Sequence, residues 1–303
     1  MRGALNRRTV LHGALAFAVT AATRSSFAQV PGLSGNLSVW TESGGNIVVL
    51  KTTDGAVLVD SGNGRDTGRM LDFVAAATGS KRVHTLFNTH WHSDQIGGNE
   101  ALGNAGANIV AHEKTRLRLA VGYYLAGGDE FQPPVSVKAQ PTESFYTTGS
   151  TTIGGRRIEY GYLIEAHTDG DAYVYFRDDN VICVGDAIAP ERDVELDWWG
   201  GGWLGGRVDS LKQLLALTDA RTRYVPSYGE PVGRAAVQAE YDMCNMLFER
   251  FFERIRKGET NEDMLAAGIM EGTGRKWNDP AKFVHDAHKG FWGHNNTLSH
   301  DIV

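Results

Sequence analysis

The sequence predicts a layered α/β fold, and three observations predict it. Short β-branched runs alternate with helix-length amphipathic runs through the first half of the chain. The 37 glycines cluster in the connections, which a helix bundle would not need. Several strand-like runs end on acidic or histidine-bearing loops, at Asp60, at Asn88 to Asn99 and at Asp186. Open α/β sheets place their sites at such strand ends. With 42% hydrophobic and 22% charged residues, the chain can bury a core and is not a disordered one.

The elements follow in order. Asn46 to Lys51 and Ala56 to Asp60 read as a hairpin turning at Thr53-Asp54-Gly55. Arg69 to Ala77 reads as a helix stopped by Gly79. Val83 to Phe87 is a strand, and Gly97-Gly98 leads into a helical stretch from Asn99 to Leu102. Asn108 to Ala111 is a strand and Lys114 to Val121 a helix, so this half reads β-β-α-β-α-β-α. Gly127 to Pro141, with little periodicity and three prolines, reads as a surface loop. Phe145 to Ile164 reads as strands broken at Thr148-Gly149-Ser150 and Gly154-Gly155. Ala172 to Phe176 and Val181 to Val184 form a hairpin turning at Asp178-Asp179-Asn180. Pro190 to Arg207, rich in glycine and tryptophan, is a loop; Ser210 to Leu217 is a helix, and Arg223 to Pro226 a strand end before the Ser227 to Pro231 turn. Val237, Tyr241, Cys244, Phe248, Phe251 and Ile255 step by four and three along one face of a long helix, which puts Cys244 in the core. Thr260 and Asp263 form a capping box, and Asp279 to Phe291 is the last helix. Residues 29–232 are expected to form one unit and 233–303 a helical extension packed on it.

Charge and cysteine content exclude several classes. The formal charge of −6 disfavours nucleic acid and anionic membranes as partners. Two distant cysteines exclude a disulfide framework and a zinc knuckle. Residues 1–28 carry four arginines and no acid, with Asn6-Arg7-Arg8-Thr9-Val10-Leu11, an apolar run and Ser26-Phe27-Ala28. That is similar to a twin-arginine export signal and implies a periplasmic or secreted protein without a membrane anchor after its removal.

The chemistry centres on Asn88 to Asn99. His90, His92 and Asp94 stand at every second position, and an extended backbone would point them the same way. Two imidazoles and a carboxylate converging there suit zinc. His167, in His167-Thr168-Asp169-Gly170-Asp171, and Asp186, at a strand end, follow.

These pieces, with Asp60 and the Val225-Pro226-Ser227-Tyr228-Gly229 turn, appear in the order of the metallo-β-lactamase superfamily, which roughly residues 36 to 230 resemble. The resemblance implies a four-layer αβ/βα sandwich, here with a C-terminal helical extension. It also implies a hydrolase in which metal-bound water attacks a carbonyl or phosphoryl centre. By correspondence His90, His92 and His167 form a first metal site. Asp94, residue 95 and residue 228 would form a second, with Asp186 bridging as a ligand. The family's pattern has histidines where this chain has Gln95 and Tyr228. A glutamine amide and a phenol of pKa about 10 are poor zinc ligands, so one zinc ion is expected and the second site is degraded.

Asp94 is then the catalytic base or orienter of the water, and Tyr228 either a donor to the oxyanion or a packing residue in the vacated space. Gln95 is a site residue without an assigned role, and Asp60 a support of the loops through hydrogen bonds. Trp198, Trp199 and Trp203 are expected to wall a pocket for a small apolar acyl substrate, an ester or lactone. The alternatives are an inactive metal- or ligand-binding protein of this fold, and a two-metal hydrolase completed by a histidine among His285, His288, His294 and His300.

Overall fold

The computed structural model describes residue 33, residues 35–125 and residues 130–300, with side chains as far as residue 294. The expected export signal lies outside these residues. Among them, no helix is long and apolar enough to cross a membrane.

The first sheet is built from β1 (Leu37–Trp40), β2 (Ile47–Leu50), β3 (Ala56–Val59), β4 (Val83–Phe87), β5 (Asn108–His112) and, further along, Glu143–Phe145. Helices α1 (Thr67–Thr78), α2 (Ser93–Ile96), α3 (Asn99–Asn104) and α4 (Glu113–Val121) connect its later strands. A small hairpin, β6 (Tyr123–Tyr124) and β7 (Phe131–Gln132), precedes the Glu143–Phe145 strand, β8. The second sheet holds β9 (Thr148–Ile153), β10 (Arg156–Tyr162), β11 (Ala172–Phe176), β12 (Val181–Gly185), β13 (Arg223–Pro226) and β14 (Val232–Gly233), adjacent in that order. Helix α5 (Leu204–Leu217) crosses between β12 and β13, which pair in parallel. Then come α6 (Arg234–Ile255), α7 (Asn261–Ala266), opened by the expected capping box, and α8 (Pro280–His300).

Strand alternation sorts the side chains into layers. Val48, Leu50, Val57 and Val59 meet Ile158, Val174, Phe176 and Cys183 between the sheets. Ile47, Val49, Leu58 and Leu86 face Met70 and Val74 of α1 on the outer side of the first sheet. Tyr173, Tyr175, Ile182 and Val184 face Leu211 and Leu214 of α5, Cys244, Leu247 and Phe251 of α6, and Phe283 and Phe291 of α8. The result is helix, sheet, sheet, helix. Cys244 is fully buried, and burial pushes its thiol up to about 12, as an inert core residue requires.

Three expectations change. β1 was not predicted, because four residues before a Gly- and Ser-rich turn carry too little alternation to stand out. Thr148-Gly149-Ser150 is not a break but part of β9: a Cβ on Gly149 would lie 2.3 Å from the Tyr160 ring, so this glycine marks close packing inside a strand. α5 starts at Leu204, six residues before Ser210, because Gly206 lets the helix pass the backbone oxygens of Ile164 and Glu165 where a Cβ would sit 2.5 Å away.

Glu113, at the start of α4, accepts hydrogen bonds from Arg116 and from the Ser144 hydroxyl at 2.6 Å. Those bonds outweigh burial and bring its carboxyl down to about 2. A folded-state value below the unfolded one adds stability above about pH 4.5, and this is lost as pH falls toward 2. Urea melts from pH 6 to pH 2 should show a shallower acid slope for Glu113→Gln than for the parent.

Candidate metal centre

β4 ends at Phe87, and its continuation is pinned to β3 by the Asp60 amide donating to the Phe87 carbonyl at 2.8 Å. From there the chain bends at Thr89 and His90, and His92, at φ −65° and ψ 146°, is the extended residue that caps α2. Both His90 and His92 reach the site. Trp91 between them packs edge-on against both His92 and Tyr123, and its indole donates to Asp169. At Ser93 the chain turns into α2, so Asp94 does not continue the extended row as the spacing had suggested. His167 arrives from the loop between β10 and β11. Its backbone N–H, like that of Thr168, donates to the buried Asp171 carboxylate. One ligand nitrogen from each of His90, His92 and His167 lies within 4.8 Å of the other two.

The far nitrogen of every ring is engaged. His92 Nε2 donates to Asp197 at 3.0 Å, and His167 Nδ1 donates to the Glu195 carbonyl at 3.0 Å. Thr89 gives its hydroxyl proton to Asp60 at 2.8 Å, and so accepts from His90 Nδ1 at 3.1 Å. These partners leave His90 Nε2, His92 Nδ1 and His167 Nε2 as converging lone pairs. His90 Nε2 is buried without a hydrogen-bond partner, and His92 Nδ1 lies 3.1 Å from His167 Nε2. Ligand nitrogens on a tetrahedral zinc ion stand about 3.3 Å apart. The donor set therefore fits a metal ion. Burial and the neighbouring imidazoles keep His90 and His167 below the ordinary histidine range. At His92 burial is outweighed by the Asp197 carboxylate, which holds the ring above that range, so ligation there would displace a proton.

Carboxylates surround this cluster. Asp186 Oδ2 lies 3.5 Å from His90 Nε2 and 3.9 Å from His167 Nε2, beside the three nitrogens. Burial, with Asp94 nearby, raises its carboxyl to about 6 against the pull of Arg192 and His92. Asp60, at φ 62°, is raised to about 8, chiefly by burial. It touches Thr89 and so supports His90 through that residue.

Asp94 receives the Tyr228 hydroxyl, and the Gln95 amide at 3.1 Å. Tyr228 is thus engaged by Asp94, not free to meet a substrate oxygen, and the Arg192 guanidinium stacks 4.0 Å over its ring. Gln95 is fully buried and fills the space beneath Gly45.

The tryptophans divide. Trp199 is 43% exposed and meets Trp198 edge-on, with Lys289 of α8 5.9 Å above the Trp198 ring. Trp203 departs from the expected pocket role: it caps α5, stacks on His294 at 4.1 Å and packs on Phe248 and Phe291. It is a buttress for the last helices. Among the described residues, no C-terminal histidine joins the cluster: His285 lies by Trp198, His288 by Trp292, and His294 on Glu165. Sequence reasoning missed Thr89, Glu195 and Asp197. Thr89 precedes the first ligand, a signal that was available. Glu195 acts through its carbonyl and Asp197 lies 105 residues from its partner, so neither carries a local signal.

The fold and this site define a metal-dependent hydrolase whose metal site is His90, His92 and His167. The chain belongs to the metallo-β-lactamase superfamily, whose family model matches residues 40–227. A type 2 metallo-β-lactamase of Bacillus cereus is 24% identical over 220 residues, 70% of this chain and 80% of that protein. Another from Bacillus sp. (strain 170) is 28% identical, over 65% and 75%. Among solved structures, a metallo-β-lactamase from Pontibacter korlensis matches with a TM-score of 0.54 at 21% identity, over 69% of this chain and 93% of that one. A sec-alkylsulfatase from Pseudomonas sp. matches with a TM-score of 0.65 at 15% identity, over 86% of this chain and 49% of that one.

Proposed function

We propose that this protein is an exported hydrolase that works with one zinc ion and cleaves a small acyl substrate, an ester or lactone. The observation that carries the single-ion reading is the state of Asp94. In the family pattern it would ligate the second ion; here two donors of the chain itself, the Tyr228 hydroxyl and the Gln95 amide, converge on Asp94 Oδ2. The ion would supply Lewis acidity at the three histidines. Asp94 accepts the proton of the attacking water, and Tyr228 holds it in place for that. Asp186, beside the histidines, is the fourth group within reach of the ion. Trp198 and Trp199 offer the apolar surface an acyl group needs. Export rests on the arginine pair of residues 7 and 8.

The test is metal content per chain of the protein from residue 29, purified without chelator or added metal. One equivalent of zinc is expected. Gln95→His combined with Tyr228→His restores two imidazoles and frees Asp94, so this variant should take up a second equivalent. Two equivalents in the parent would sink the single-ion reading. No uptake at all would favour the inactive binder. Turnover in a panel of esters, lactones and β-lactams should disappear in Asp94→Ala.

A further inference from the structure

We infer that Asp197 is a positioning residue that joins the metal centre to the wall carrying Trp198 and Trp199, so that metal loading and the shape of that wall are one coupled property. This rests on the three-histidine metal site above.

Asp197 is held on four sides. Its Oδ2 accepts from His92 Nε2 at 3.0 Å, and its Oδ1 accepts from the Gly200 amide at 2.8 Å. Its own amide donates to the His167 carbonyl at 2.9 Å, and its carbonyl accepts from Gly202 at 2.8 Å. Two residues earlier, the Glu195 carbonyl holds His167 Nδ1. One short segment therefore sets the ring orientation of two of the three ligands. The same segment closes into the turn that bears both tryptophans.

The turn has no slack. A Cβ on Gly200 would lie 2.4 Å from Asp197 Oδ2 and 2.6 Å from the Trp91 ring. A Cβ on Gly202 would lie 1.9 Å from the His167 carbonyl oxygen. Asp169 adds a further tie, its amide donating to Gly200 at 2.8 Å. A ligand histidine that turns away either loses its bond to Asp197 or moves Asp197 and the turn with it, because the other carboxylate oxygen and both backbone groups of Asp197 are already engaged. Coupling of this kind is reciprocal: what orders the wall tightens the metal, and the metal orders the wall.

The test uses the chain from residue 29, stripped of metal by chelation and titrated with zinc against a chromogenic chelator while tryptophan fluorescence is followed. The parent should change its emission as zinc binds; Trp91, whose ring lies 4.5 Å from that of His92, contributes to this change, and Trp198→Phe with Trp199→Phe should remove the remainder. Asp197→Ala should weaken zinc binding roughly 10- to 100-fold and lose the part of the emission change that Trp198 and Trp199 carry. Asp197→Asn, which keeps an oxygen for the His92 N–H, should recover most of the affinity. Gly200→Ala leaves the carboxylate intact but pushes it off His92, so it should weaken zinc binding in the same direction even if Asp197→Ala does not fold. Circular dichroism of the metal-free variants controls for folding. Parental zinc affinity in both Asp197→Ala and Gly200→Ala overturns the proposal, as does an emission change in Asp197→Ala as large as that of the parent. A parent that takes up no zinc overturns the metal centre itself, a result seen before any variant is made.

Discussion

Glu240→Ala is expected to destabilise the protein by about 3–5 kcal/mol, the usual cost of breaking a buried ion pair from one side. Arg207 of α5 is fully buried, and its guanidinium donates to the Glu240 carboxylate of α6. That carboxylate also accepts from the Ala189 amide at 3.0 Å, and Arg207 donates to the Asp186 carbonyl at 2.8 Å. Removing the carboxylate leaves a fully buried cation beside Cys244, and leaves the Ala189 amide unsatisfied. The same pair fixes the backbone of Asp186 beside the histidines, so a loss of metal affinity should accompany the loss of stability. Chemical denaturation of the metal-free and zinc-loaded forms measures both. By contrast the Arg69–Glu42 pair is more than half exposed on each side, and Glu42→Ala should leave the midpoint almost unchanged. A Glu240→Ala midpoint equally close to the parent would mean that water reaches Arg207.

His167→Ala should cost the protein its metal. Zinc held by four protein ligands is worth about 10–16 kcal/mol, so one ligand carries roughly 3–4 kcal/mol, a few hundredfold in affinity. The effect should exceed that of losing Asp197, which acts on the ion only through His92. Below one tenth of an equivalent should survive purification. The fold should survive, because the loop is held by Asp171 through the backbone amides of His167 and Thr168 and not through the imidazole. Full metal content in His167→Ala would remove the β10–β11 loop from the site.

The strands and helices were legible where burial imposes a period. β2, β3, β11 and β12 are short runs buried along their whole length, and the stripe on α6 steps by four and three. His90 and His92 were legible because their spacing of two, next to a strand end, suits a shared ion, and both do converge with His167. The same rule failed two residues later, where α2 begins: hydrogen bonds such as Gln95 N to His92 O and Ser61 N to Gln95 O win over continued extension. The role of Trp203 was hidden for a similar reason. A tryptophan next to glycines reads alike whether it lines a pocket or packs on α8.

The sequence by itself therefore determined the layered fold through local period and the pairing of His90 with His92 through spacing, while the superfamily and the role of His167 came from the resemblance of its motifs. Tertiary structure alone decided how those imidazoles are oriented and what became of Asp94. Their partners, Asp60 through Thr89, Glu195, Asp197 and Tyr228, come from loops far apart in the chain. Whether a hydroxyl or a carboxylate reaches a given nitrogen depends on how two sheets stack, and no local pattern of residues encodes that distance.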